Sequence, residues 1–200
     1  MAIISRGFTG RRPEVESNRL PPGQYITHDF PVLSAGPTPR IDLDSWNFEI
    51  TGLVDEPRSW TWEEFNSLPM ETVTQDIHCV TKWSKLDMNW TGVSLDVLLE
   101  RLETDATHLM AHSYGGYTTN LPLADVMGGR SWIAIGHDNQ PLAPEHGGPA
   151  RLLVPHLYFW KSAKWVRGIE LMAGDRRGFW ERNGYHDYGD PWREQRYWGD

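Results

Sequence analysis

Asp76-Ile77-His78-Cys79-Val80-Thr81-Lys82-Trp83-Ser84 contains the only cysteine of a 200-residue chain. Cys79 therefore has no intramolecular disulfide partner. The apolar pair Val73 and Ile77, four residues apart, lies on one face of a strand that runs from Thr72 to Cys79 and, with Val80 beyond, into a turn. A lone cysteine is most often a small buried hydrophobe. Here a histidine precedes it, and Thr81, Lys82 and Lys85 follow within six residues. Nearby positive charge favours the thiolate, which is both the nucleophilic form and the form that binds soft metals.

A second stretch runs from Pro144-Glu145-His146-Gly147-Gly148-Pro149-Ala150-Arg151 through Lys161-Ser162-Ala163-Lys164. The chain has only four lysines: Lys82, Lys161 and Lys164 lie in these two stretches and Lys85 directly follows the first. Elsewhere its positive charge is carried by arginine. Arg151 offers a planar fork for phosphate oxygens, Lys161 and Lys164 offer compact charges, and Ser162 adds a hydroxyl. The Gly-Gly-Pro turn lets backbone approach a ligand closely. Together these point to an anion site, although the set also reads as a surface arginine and two snorkelling lysines beside a strand. Neither a P-loop nor a Gly-x-Gly-x-x-Gly nucleotide fingerprint is present.

Composition removes several classes. A net charge of -8 argues against a nucleic-acid partner, which requires a basic face. No apolar run reaches the roughly 18 residues of a membrane span. Arg11-Arg12 is followed by Pro13-Glu14-Val15-Glu16 rather than an apolar segment, so no twin-arginine export signal is expected. One cysteine and no signal peptide point to the cytoplasm. A Cys-x-x-Cys-His haem site and a cysteine array for an iron–sulfur cluster are both missing, so a redox role needs a separate electron-transfer partner.

Along the chain, residues 1–19 read as a partly flexible arm and 20–200 as one domain. Trp46 to Val54 alternates as a half-buried strand. Thr61 and Glu64 form a capping box for a helix to about Leu68. Asn89 to Val93 reads as a loop. Ser94 caps a helix with Leu95, Leu98, Leu99 and Leu102 on one face. Thr107–Ser113 and Tyr117–Asn120 form a hairpin over Gly115-Gly116, and Leu123–Met127 is a helical turn. Ser131–Ile135, Ala150–Val154 and Ala163–Met172 are further strands. Many short strands, few short helices and no regular alternation imply an α+β domain with mixed sheets. The tail from Asp175 is charged yet rich in aromatics, so it should pack on the body rather than remain disordered.

The histidines lack the i, i+4 spacing of a helical zinc site, and no Gly-x-Ser-x-Gly elbow is present. Taken in order, the Cys79 stretch, His146-Gly147-Gly148-Pro149-Ala150-Arg151-Leu152-Leu153-Val154-Pro155 and Lys161-Ser162-Ala163-Lys164-Trp165 resemble the molybdopterin-binding domain of the sulfite oxidase family. The tail Gly178-Phe179-Trp180-Glu181-Arg182-Asn183-Gly184-Tyr185-His186, with Gly189-Asp190-Pro191-Trp192, is similar to that of small bacterial members. The resemblance covers roughly residues 20–200. It implies an α+β molybdopterin-binding fold and one molybdenum carried by a single pterin dithiolene, with Cys79 as the metal's thiolate ligand. It places Arg151, Ser162, Ala163 and Lys164, with Lys161 beside them, at the pterin and its phosphate. His146 falls beside the pterin, and Ser113 near a hydroxyl contact. Tyr25, Thr27 and His28 fall in the segment that closes over the cofactor.

The chain also departs from that pattern. Lys82 and Ser84 stand after Cys79 where the sulfite oxidases carry arginines. Ile135 stands in place of a tyrosine, and His28 in place of another arginine. The family's dimerisation domain is not expected. The reading is therefore an oxidoreductase that moves an oxygen atom by two-electron chemistry on a small substrate, sulfite-like or an S- or N-oxide. Cys79, Lys82 and His28 are its candidate catalytic groups. Two rivals remain: a non-catalytic module binding a phosphorylated ligand in the same pocket, and a thiol enzyme using Cys79 with His78. Adjacent strand residues face opposite ways, which disfavours the second.

Overall fold

A computed structural model describes residues 18–200. The expected arm at 1–19 lies outside them except for Asn18 and Arg19, as does the Arg11-Arg12 pair. The strands are β1 (Tyr25–Ile26), β2 (Asn47–Gly52), β3 (Arg58–Thr61), β4 (Glu71–His78), β5 (Trp83–Ser94), β6 (His108–Ser113), β7 (Thr118–Pro122), β8 (Trp132–His137), β9 (Gln140–Pro141), β10 (Arg151–Leu153) and β11 (Val166–Met172). The helices are short: α1 (Trp62–Asn66), α2 (Leu95–Leu98), α3 (Leu123–Val126) and α4 (Phe179–Arg182). This is the α+β architecture with mixed sheets that the sequence implies.

The strands form two sheets. One runs β1-β5-β8-β10, with β4 also on β5 and β9 on β8; the other runs β3-β2-β11-β6-β7. Pairing is antiparallel except for β1 with β5 and β2 with β11. Side chains alternate across a strand, so each strand of the first sheet serves two cores. Val93, Ile133 and Leu152 join Phe48, Ile50, Leu109, Ala111, Ile169 and Leu171 of the second sheet in one buried cluster. Trp90, Trp132, Ala134 and Leu153 face the other way, into a cluster that also holds Ile77, Cys79, Val80 and Trp83. Because Arg151 alternates with Leu152, it falls on the Cys79 side. The period of the strands thus brings the two decisive stretches to one face.

Thr61 caps α1, and the box with Glu64 closes in both directions. Ser94 caps α2, which is shorter than the apolar face predicts, although Leu95, Leu98 and Leu99 are buried as expected. One reading fails: Asn89 to Val93 is not a loop but the end of β5, paired with β8. Thr91-Gly92 resembles turn chemistry, yet the register shifts between Thr91 and Gly92, which marks a bulge. A Cβ at Gly92 would meet the Ile133 carbonyl, so the glycine serves close strand approach rather than a turn. The tail packs on the body, with Glu181, Gln195 and Arg196 buried.

Candidate active site

β4 and β5 form a hairpin whose turn carries Cys79. The Cys79 amide donates to the Trp83 carbonyl (2.8 Å) and the Lys82 amide to the Cys79 carbonyl (3.0 Å). Lys82 takes φ +76°, which aligns it with the turn rather than with a strand. Cys79 is 7% exposed, and its Sγ accepts the Thr81 hydroxyl at 3.1 Å. Burial pushes the thiol pKa up, while the Thr81 hydrogen bonds and the charge of Arg196 pull it down. The cations whose fields reach the thiol from outside the turn are thus Arg196, a residue of the tail, and Lys164, and not the Lys82 and Lys85 beside the cysteine in sequence.

The thiol opens into a cavity of about 470 Å³, within the usual range for a cofactor or substrate site. Arg151, Ser162, Ala163 and Lys164 line the same cavity, so five of the residues singled out by sequence meet there. Arg151 is 1% exposed. Its guanidinium donates to the carbonyls of His146 (2.8 Å) and Ser162 (2.7 Å) and lies 4.0 Å from the centre of the Phe159 ring. Burial lowers its pKa to about 9. Lys164 donates to the carbonyls of Leu33 (2.7 Å) and Glu145 (2.6 Å), and burial with the Arg151 charge lowers it to about 8. Among the described residues, neither cation pairs with a carboxylate. The Ser162 hydroxyl accepts the Val154 amide at 2.9 Å and so helps fix β10.

The other candidates lie outside the lining. Lys161 turns inward: fully buried, it pairs with Glu181 at 2.6 Å and donates to the carbonyls of Asn120 (2.9 Å) and Asp187 (2.6 Å). His146 sits behind Phe30, the rings stacked at 3.9 Å, with a buried Nδ1 that has no partner. Ser113, whose buried Oγ also lacks one, sits at the root of the Tyr114–Tyr117 loop that lines the cavity. Tyr25 and Thr27 run alongside β5, their amides on Lys82 (2.8 Å) and Ser84 (2.9 Å). His28 is exposed, and its carbonyl accepts from Lys85 at 2.7 Å. Lys82 is exposed as well. His78 points away from Cys79, 2.8 Å from Ser84 through Nδ1, with its pKa lowered to about 4 by burial. It cannot serve as the base for the thiol.

Several lining groups were not read from sequence. Trp83 and Phe159 wall the Cys79 end, and Trp160, Trp180 and Tyr185 close it from the tail side. A strap from Phe30 to Pro39 crosses the opening, held by the Lys164 bond to Leu33. The tail's density of aromatics was the signal for Trp180 and Tyr185; for the strap it was the neighbouring Tyr25–His28 segment that the resemblance places over the cofactor.

Cys79 is the one soft donor in the cavity lining among the described residues. A single sulfur opens into a cavity whose only charged lining groups, among the described residues, are two cations with no carboxylate partner, a place suited to a bound anion. Comparison with known proteins agrees. Residues 35–180 match the family model described as oxidoreductase molybdopterin binding domain. The chain is 46% identical to the "uncharacterized oxidoreductase YuiH" of Bacillus subtilis (strain 168), over 95% of this chain and 98% of that one. It is 26% identical to the protein-methionine-sulfoxide reductase catalytic subunit MsrP of Campylobacter jejuni subsp. jejuni serotype O:2, over 75% of this chain but only 57% of the relative. In fold it is similar to the sulfane dehydrogenase SoxCD from Paracoccus pantotrophus, with a TM-score of 0.63 at 23% identity, over 74% of this chain and 42% of that one.

Proposed function

The chain belongs to the oxidoreductase molybdopterin-binding domain family, and from that premise we propose that Cys79 binds a single molybdenum through its thiolate and that the site reduces a small neutral S- or N-oxide. The cofactor, when bound, supplies a two-electron redox centre that accepts an oxygen atom. The observation that carries the reading is the Cys79 thiol opening into a cavity whose only charged lining groups, among the described residues, are Arg151 and Lys164.

Those two cations are the chain's contribution to holding the anionic part of the cofactor. The Arg151 charge is buried, the Lys164 charge half-buried, and neither has a carboxylate among the described residues, so an incoming phosphate relieves an uncompensated cost. Ala163 and Ser162 set the backbone between them. Once they are engaged, no lining cation among the described residues is left for a substrate oxyanion. Lys82 and His28, the sequence candidates for that task, lie outside the lining. A neutral oxide held among Trp83, Trp180 and Tyr185 therefore fits better than sulfite. Tyr185, raised by burial, stays protonated and offers an O–H to the substrate oxygen. The overall change is oxide plus two electrons and two protons to the reduced compound and water. The electrons come from a separate donor, a reading supported by the naming of MsrP as a subunit.

The test is elemental analysis and pterin extraction on protein purified from a host that makes the cofactor, followed by dye-coupled turnover with sulfoxides, N-oxides and sulfite. Near-stoichiometric molybdenum that Cys79→Ser loses, with oxide reduction outpacing sulfite oxidation, is the expected result. A Cys79→Ser protein that holds the metal and turns over as wild type defeats the ligand assignment. Sulfite oxidation as the faster activity defeats the substrate assignment.

A further inference from the structure

The turn that presents Cys79 has a carbonyl that its own hairpin does not satisfy. The Val80 oxygen lies in a residue 8% exposed, and its partner is the Arg196 Nη1 at 2.8 Å, a bond spanning 116 residues of sequence. Arg196 is itself 8% exposed. Its other guanidinium nitrogen reaches the Pro22 carbonyl at 3.5 Å, and the fork lies 4.9 Å from the centre of the Tyr158 ring. Its backbone is fixed as well: the amide donates to the Asp200 carboxylate (2.9 Å), and the carbonyl accepts from His186 (3.2 Å). From the other side, Gln24 donates to the Cys79 carbonyl at 3.0 Å.

We propose that Arg196 is a positioning residue for the metal site, a clamp by which the C-terminal segment and the segment around Pro22 jointly fix the Cys79 turn and so the direction of its sulfur. This rests on the reading of Cys79 as the metal's ligand. The geometry explains why an arginine stands here. One planar fork bonds carbonyls on two segments at once, which a lysine's point charge does with less geometric definition. Loss of the fork leaves the Val80 oxygen buried without a partner, a penalty that falls on the turn itself. The tail thus contributes to the site at a residue that does not line the cavity.

The experiment compares wild type with Arg196→Met, which keeps the stem and removes the fork, and Arg196→Lys, which keeps the charge. Amide hydrogen exchange is measured on the metal-free full-length chain, then molybdenum content and the Mo(V) electron paramagnetic resonance signal on loaded protein. The Cys79 and Lys82 amides in Arg196→Met should exchange about tenfold faster or more, with β6 and β11 unchanged. The Lys variant should recover part of that protection. Loaded Arg196→Met protein should carry less metal and show a shifted signal, since the signal reports the sulfur's orientation. Unchanged exchange at the turn overturns the proposal. So does acceleration spread evenly over the chain, which would make Arg196 a general packing residue. Wild-type protein that takes up no molybdenum would instead defeat the ligand reading, and the exchange result alone would then decide the clamp.

Discussion

Lys164 shows how one side chain is set by burial and neighbours together. With its pKa lowered to about 8, it carries a charge below that pH and loses it above. Anion binding in the cavity should therefore weaken as pH rises through 8, and a bound anion moves the transition upward. Sulfate is a suitable probe because its own charge is constant in this range. Its affinity by calorimetry is expected to fall about tenfold between pH 7 and 9, and Lys164→Met should bind weakly and lose most of the fall around pH 8, keeping only the decline that Arg151 gives near 9. His156 carries the opposite lesson, a base kept neutral. Burial, with the Arg130 charge, lowers it to about 4, and its Nε2 has no partner. The unfolded chain binds that proton from about pH 6.5 downward and the folded chain only near 4, so this residue's contribution to stability is lost across that window. Urea titrations of His156→Gln should show a shallower fall in stability from pH 6.5 to 4 than wild type. A slope equal to wild type would exclude His156 as its source.

At the scale of the element, the β4–β5 hairpin delivers the thiol and the β5–β8 pairing holds the hairpin in place. The bulge at Thr91/Gly92 is the point where that pairing is most exacting. Gly92→Ala drives a methyl group into the Ile133 backbone, an overpacking that should cost about 1–3 kcal/mol. The expected readout is a lower thermal midpoint, with a further loss in Gly92→Val. A variant as stable as wild type would mean the strands can part there freely. The capping box of α1 was legible because it needs only Thr61 and Glu64 three residues apart. The bulge was not, because a glycine in a turn and a glycine at a close strand approach look alike until the partner strand is known.

For the whole molecule, the buried pair Lys161–Glu181 ties the tail to the body. Thr119 and Trp160 also donate to the Glu181 carboxylate, at 2.9 and 3.0 Å. The tail in turn supplies Trp180 and Tyr185 to the cavity and Arg196 to the Cys79 turn. Glu181→Ala leaves a lysine charge buried alone and should cost about 3–5 kcal/mol, a large share of an ordinary domain's roughly 5–15 kcal/mol. Lys161→Met combined with Glu181→Leu removes both charges and should cost much less. Chemical denaturation measures both, and equal losses would show that the pair's charge balance is not what holds the tail.

The sequence by itself determined the mixed α+β architecture and the packing of an aromatic tail. These follow from strand period, capping chemistry and composition, which act over a few residues. It also picked out Cys79, Arg151, Ser162, Ala163 and Lys164, all of which line one cavity. Only the tertiary structure decided which lysine faces that cavity. Lys161 and Lys164 are three residues apart and chemically the same, but Glu181 draws one inward while the strap carbonyl of Leu33 meets the other. The same holds for Arg196, whose partner Val80 lies 116 residues away. Charge and hydrogen bonding act through space, and the distances that decide them exist only once the chain has folded.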